Sequence, residues 1–283
     1  MKINNSREAK SNLLPLYIKN HSVGKVHSKF NNGLNVQFDD YLIYISSVNT
    51  PLSAFGLNIK EEVLIRLLNS VNLQDIVVSK KSKLLFYSTY EIITIDYTNA
   101  EEIDLKLPKI NCSINEIANT KLYGYLRKIN FQEIIGIEAD NVTYKYLDLL
   151  LSSDKENFMI NSRIIRYFAG RGKGLTPSGD DILTGFTLAL MMFGEFYNWT
   201  RAIKAEVTEK ATTVISTAYL NALMEGYASD HFIQLVRLID EKDEDMIGNV
   251  IKKVQSYGHT SGSDTLFGFF LGLKFLINKD HNN

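Results

Sequence analysis

The chain has 283 residues, 45% of them hydrophobic, which is enough for one large buried core or two ordinary ones and excludes general disorder. Its 31 basic and 32 acidic side chains are well mixed and leave a formal net charge of -1, which excludes a strongly basic surface for nucleic acid or an anionic membrane. Cys112 is the single cysteine, so an internal disulfide is excluded; no His/Cys run has zinc spacing, and a reducing, cytoplasmic setting is expected.

In chain order, "MKINNSREAKSNLL" is polar and lacks the apolar core of a signal peptide, so export is not expected. Residues 23 to 46 alternate apolar and polar positions in "VGKVHSKF" and "LNVQF", with "YLIYI" as a third strand. Asn31-Asn32-Gly33 separates the first two and can supply the positive φ values of a tight hairpin. After a loop around Asn49 to Gly56, "IKEEVLIRLL" places Ile59, Val63 and Leu67 on one helical face. "DIVVS", "KLLFYS" and "YEIITIDY" then return to β-branched and aromatic composition, so residues 20 to about 108 read as a mostly antiparallel sheet with one helix.

The character changes at "KLPKINCS". From Ser113, which with Glu116 has the spacing of a capping box, nearly every segment has helical periodicity. Helices are expected at about 114–128, 142–152, 156–168, 180–196, 200–227, 229–240, 244–257 and 264–277. The expected class is α+β, with a β-rich domain over 1–110 and a helical domain over 111–283. The most apolar stretches, 182–194 and 265–277, fall short of the ~20 residues a membrane span needs and read as buried helices.

One nine-residue string occurs twice. "SGDDILTGF" at 178–186 returns as "SGSDTLFGF" at 261–269, identical at six positions after an offset of 83. Each copy follows a helix that ends in glycine, Gly170 or Gly258, and Gly174-Leu175-Thr176 resembles Gly258-His259-Thr260 with Pro177 as an extra residue. A duplicated helix-loop-helix unit is the expectation.

Two readings of the repeat compete. In the first, Ser178 with Asp181 and Ser261 with Asp264 cap their own helices, each cap contributing about 0.5–2 kcal/mol, while Gly185, Gly268 and Gly272 allow close helix packing. Capping does not require "GRGKGLTPSG", four glycines in ten residues with two cations between them. In the second reading, peptide N–H groups freed by Gly170, Gly172, Gly174, Gly179 and Gly262 converge on a phosphate or carboxylate. Arg171 and Lys173 add charge, and Thr176, Ser178, Thr260, Ser261 and Ser263 add hydroxyl donors. With Asp181 and Asp264 turned into their caps, Asp180 is left to accept N–H bonds from a ligand or to hold a divalent cation beside a phosphate. One carboxylate is a thin coordination set, so no cofactor is assigned and Mg²⁺ stays an open alternative.

"GRGKG" is neither a P-loop nor a dinucleotide fingerprint, because it lacks the required spacing and follows a helix. His259, in the second loop, is either a proton donor or ligand contact or a solvent-facing loop residue. His231 and Cys112 read as structural and inert respectively, and no Ser-His-Asp set is evident.

"GRGKGLTPSGDDILTGF" resembles the signature of the AllH family, a subunit of the oxamate carbamoyltransferase of allantoin catabolism. "VHSKFNNGLNV", "NTPLSAFGLNI" and "GHTSGSDTLFGFFLGL" are similar to other parts of that family. The resemblance implies a cytoplasmic subunit that acts with other protein subunits to move a carbamoyl group between oxalurate and phosphate, yielding oxamate and carbamoyl phosphate. It carries over no catalytic residue. The expected ligand is then a small anion of the phosphate, carbamoyl phosphate or oxamate class, held at loops 170–181 and 258–264 with His259, Arg171 and Asp180 in catalytic roles. The alternative is a non-catalytic subunit or sensor using the same surface for docking or metabolite binding.

Overall fold

The computed structural model describes residues 7–138, 140–152, 154–194 and 196–280. They form two compact units. The first runs to Lys106 and takes in Tyr227–Asp230; the second comprises Leu107–Gly226 and continues from His231.

Among the described residues the first unit is a nine-stranded sheet carrying two helices. Its elements are β1 (Ala9–Ser11), α1 (Leu14–Ile18), β2 (Val23–Phe30), β3 (Gly33–Phe38), β4 (Tyr41–Ser47), β5 (Gly56–Ile59), α2 (Glu61–Ser70), β6 (Ile76–Ser79), β7 (Lys83–Tyr87), β8 (Ile92–Asp96) and β9 (Glu101–Ile103). The strand order is β8-β7-β6-β2-β3-β4-β5-β1-β9. Pairing is antiparallel except for β4 with β5 and β1 with β9. One face buries Val26, Leu34, Val36, Phe38, Ile43, Ile45, Val77 and Phe86 against Leu64 and Leu67 of α2. Each such side chain contributes about 1.5–3 kcal/mol relative to exposure.

Two local expectations are corrected here. Ile59 lies in β5, not on a helix, because β5 pairs in parallel with β4 (Ser47↔Ile59), a long-range contact that local periodicity cannot register. The β2–β3 hairpin closes at Asn31-Asn32 without positive φ at either residue. Gly33 is needed for space instead, since a Cβ there would sit 2.5 Å from the Ile45 carbonyl oxygen.

The second unit is helical. It holds 3₁₀ turns at Ile114–Asn119, Phe131–Glu133 and Leu238–Asp240, and the helices α3 (Lys121–Leu126), α4 (Asn141–Ser152), α5 (Phe158–Phe168), α6 (Ser178–Met192), α7 (Tyr197–Glu206), α8 (Val214–Met224), α9 (Asp230–Arg237), α10 (Glu244–Gln255) and α11 (Ser261–Asp280). The α+β order of sheet then helices is as the sequence implies. The capping box at Ser113 and Glu116 is present, with Glu116 accepting the Ser113 N–H at 2.8 Å, but it opens a 3₁₀ turn rather than an α-helix. The single helix expected over 200–227 is two, because Thr213 restarts the chain as the N-cap of α8, accepting the Ser216 N–H at 3.0 Å.

The core of this unit is the crossing of α6 and α11. A Cβ on Gly185 would sit 1.9 Å from the Thr265 carbonyl oxygen, and one on Gly268 would sit 2.0 Å from that of Ile182. Residues 182 and 185 are related to 265 and 268 by the 83-residue offset of the repeat, so the helices meet about a pseudo-two-fold axis at their glycines. Farther along, Lys155 is fully buried, its Nζ 4.6 Å from the Phe275 ring centroid and 5.6 and 5.7 Å from those of Phe186 and Trp199. Burial lowers its pKa to about 7. Among the described residues no helix is long and apolar enough to cross a membrane.

Candidate functional site

Both copies of the repeat turn in the same way. In the first, Arg171 N–H donates to the Phe168 carbonyl at 2.9 Å and Gly179 N–H to the Arg171 carbonyl at 2.8 Å. In the second, Tyr257 N–H donates to Val254 at 3.1 Å and Gly262 N–H to Tyr257 at 3.0 Å. Any Cβ on Gly179 or Gly262 would strike the Phe168 or Val254 carbonyl oxygen, at 2.0 and 1.8 Å. Arg171 thus corresponds to Tyr257, and Gly179 to Gly262. Offsets of 86 before the loop and 83 after it make the first loop three residues longer, not one. Pro177 also matches Thr260, because the Pro177 and Thr260 carbonyls accept the Asp181 and Asp264 N–H groups. The extra chain is the exposed segment carrying Gly172, Lys173 and Gly174. Gly170 (φ 70°) and Gly172 (φ 125°) lie in the left-handed region, and a Cβ would sit 2.3 Å from the Ala211 carbonyl oxygen or 2.6 Å from the Ser178 nitrogen.

The two loops touch. Thr176 Oγ1 and Ser261 Oγ are 2.7 Å apart across 85 residues of chain. The Ser178 hydroxyl faces Asp264, and the Ser261 hydroxyl faces Asp181. Each serine therefore serves the acid of the other loop, which corrects the expectation that each Ser-Asp pair caps its own helix. The N-cap of α6 is Pro177, with no side-chain cap bond.

The roles expected of the aspartates are reversed as well. Asp180 is not free for a ligand. It is 1% exposed, accepts the Gly170 N–H on Oδ1 at 2.8 Å, and accepts the Thr212 hydroxyl on Oδ2. Burial nonetheless raises its pKa. Asp181 and Asp264 are the members facing across the loops, each with a buried Oδ2 that makes no hydrogen bond. Burial pushes the Asp181 carboxyl well above the usual carboxylate range, and the Asp264 and Asp180 charges push it farther against the Ser261 and Thr176 hydroxyls. Asp264 is also raised by burial, but the Gly136 N–H, donated to Oδ1 at 2.8 Å, and the Ser178 and Thr260 hydroxyls favour its charge. Burial and the neighbouring acidic charges therefore raise Asp181 farther than Asp264, whose charge the Gly136 N–H and two hydroxyls favour.

The expected cradle of peptide N–H groups is smaller than the glycines suggest. The Gly170, Gly179 and Gly262 amides are already bonded to Asp180, Arg171 and Tyr257. The cations stay on the rim. Arg171 and Lys173 are exposed, as is His259. Arg171 lies over the Tyr167 ring, Cζ to centroid 4.0 Å, and donates from Nε to the Tyr167 carbonyl at 3.1 Å. Tyr167 in turn stacks on Tyr146 at 3.8 Å and 3°. Thr176, Thr260 and Ser261 are half-buried; Ser178, Gly179, Gly262 and Ser263 are buried, Ser263 standing where the first copy has Asp180. Among the described residues no group of three or more His, Cys, Asp or Glu side chains is placed to hold a metal.

Three contributors escaped the sequence: Gly136, Thr212 and Thr213, whose hydroxyl donates to the Leu175 carbonyl at 2.6 Å and ties down the long loop. Gly136 sits between the loops, and a Cβ there would come within 2.5 Å of Ser178 Oγ and 2.6 Å of Thr260 Oγ1. Nothing local marks it, since its partner Asp264 is 128 residues away. Burial lowers the His231 pKa to about 3, and burial with the Glu116 and Asp240 charges raises that of Cys112 to about 11.

No solved structure matches the chain. The model of the family described as "Oxamate carbamoyltransferase subunit AllH" matches residues 168–273, from the last residue of α5 through both loops and most of α11, so the segment that builds this site is AllH-like.

Proposed function

We propose that the chain is a subunit of an oxamate carbamoyltransferase complex, and that the paired loops bind the anionic substrates and handle a proton. The observation that carries this is the junction of the two loops at Thr176 and Ser261, with the Asp181–Asp264 pair beside it. In the phosphate direction a phosphate oxygen attacks the ureido carbonyl carbon of oxalurate. The bond from that carbon to the oxamyl nitrogen breaks, and the nitrogen leaves as oxamate only if it receives a proton. A carboxyl whose proton burial favours, as burial favours that of Asp181, is a donor of that type, and the proton on the attacking phosphate restores it. Arg171 and Lys173, exposed in the first loop, complement phosphate or carboxylate charge, and His259, exposed in the second loop, is a second proton carrier.

A second reading is favoured by one observation. Leu175 is 48% exposed in the long loop between Lys173 and Thr176, an apolar residue presented outward while several nearby amides are occupied. In this reading the loop docks on another subunit that performs the chemistry. Reconstituted complex separates the two. If the loops are catalytic, Arg171→Ala and His259→Ala each lower turnover at least tenfold, about 1.4 kcal/mol of barrier, with assembly intact. If they only dock, Leu175→Asp abolishes co-purification, and the Arg171 and His259 variants retain full turnover once assembled.

A further inference from the structure

The first unit contains a cleft that the proposed function does not use. It has a volume of about 540 Å³, within the span of small-molecule sites. Lys10 of β1, Lys19 after α1 and Lys81 in the β6–β7 turn line it, and no aspartate or glutamate does. Lys10 has a distant carboxylate, Glu102, at 3.9 Å. Lys19 and Lys81 take part in no ion pair among the described residues. Serine hydroxyls at 22, 79 and 82 stand among these cations, while Pro15, Leu16 and Ile18 form an apolar wall with Leu16 60% exposed.

The turn that carries Lys81 is an independent pointer. Lys80 and Lys83 exchange hydrogen bonds of 2.9 and 3.1 Å around a two-residue turn, Lys81 at φ 48° and Ser82 at φ 60°. This geometry calls for Asn-Gly, since side chains with a full Cβ are disfavoured at both positions. Lys-Ser is a poor choice for the turn and a good one for an anion, placing a cation and a hydroxyl at the lip of the cleft. Strain of this kind concentrates where a ligand is held.

We propose that this cleft binds a small phosphorylated metabolite, its phosphate on Lys19, Lys81 and the serine hydroxyls and its apolar or ring-bearing part against Leu16 and Ile18. The site shares no residue with the paired loops, and its variants read out separately. The full-length protein is titrated calorimetrically with pyrophosphate, AMP and glucose 6-phosphate, with adenosine as the uncharged control. At least one phosphorylated probe binds, at least tenfold more tightly than adenosine. Lys81→Glu weakens that binding tenfold or more, whereas Arg171→Ala with Lys173→Ala leaves it unchanged. The double substitution Lys81→Asn with Ser82→Gly raises Tm by relieving the turn and still weakens binding, so loss of affinity is not loss of fold. Failure of all three phosphorylated probes to bind at millimolar concentration, or binding that survives Lys81→Glu, or binding lost only in the Arg171/Lys173 variant, overturns the proposal.

Discussion

The two copies of the helix-loop-helix unit share a backbone turn and differ in what they put on it. At the same point of the turn the first copy has Arg171, lying on the outer Tyr167 ring, and the second has Tyr257, packed 4.3 Å from the buried His231 ring. At the second position of the acidic pair the first has Asp180, tied to Gly170 and Thr212, and the second has Ser263. Duplication supplied the crossing and the pair of facing acids; divergence made one loop a long, basic, exposed arm and the other a shorter loop whose Tyr257 packs on the buried His231. In the proposed function the exposed cations of the first copy then meet the anion, and the second copy contributes Asp264 and His259.

The largest expected effect tests the packing of Tyr257 on His231. His231 is 4% exposed, both ring nitrogens are buried without hydrogen bonds, and burial lowers its pKa from 6.5 to about 3. Above pH 6.5 the ring is neutral folded or unfolded and contributes no pH dependence. As pH falls below that, the unfolded chain takes up a proton that the folded one refuses, so stability is lost progressively down to about pH 3. The full loss is about 5 kcal/mol. His231→Phe keeps the ring contacts with Phe232 and Tyr257 and removes the titration. Urea unfolding between pH 7.5 and pH 4 should show a growing stability advantage for the variant. An advantage independent of pH would mean that the ring is solvated and that the second copy is no more buried than the first.

Next in size is the symmetry itself. Gly185→Ala and Gly268→Ala each drive a Cβ into a backbone carbonyl at about 2 Å, which cannot yield as a side chain could. Each should lose about 3 kcal/mol, against which the ~1 kcal/mol of helix propensity gained is small. Gly124→Ala in α3, where a Cβ meets nothing within 4 Å, gains that propensity and is the control. Thermal unfolding with clearly unequal losses at 185 and 268 would break the pseudo-two-fold description of the core.

Much of this arrangement was legible in the chain, and the rest was not for identifiable reasons. The six-of-nine repeat exposed the duplication because close glycine packing restricts sequence on both sides of an axis. Six strands of the sheet were legible as alternation, but β1, β5 and β9 were not, since three or four residues paired at long range carry no period. Helix α7 and helix α8 ran together because the break at Thr212-Thr213 is set by tertiary bonds to Asp180 and Leu175, not by a glycine or proline. The aspartates were misassigned for a related cause. A Ser-x-x-Asp spacing satisfies a local cap and a reciprocal exchange between loops equally well, and only the fold decides.

That exchange yields the smallest expected effect. Asp181 and Asp264 are both raised by burial and Asp181 is raised farther by the charge opposite, so in each case the folded state holds the proton more tightly than the unfolded chain. Stability contributed by the protonated forms is complete below pH 4 and is lost as pH rises through the folded values. Asp181→Asn, which cannot ionise, should therefore be more stable than the parent at pH 7 and nearly equal to it at pH 3.5. Asp264→Asn should gain less, because Asp264 gives up the charge that the Gly136 N–H favours. Relief of repulsion can be obtained only once, so the double variant should fall short of the sum by about 1 kcal/mol, as for groups in one network. Strict additivity would place the two carboxyls outside each other's field, and the Asp264 charge would then have no part in raising Asp181.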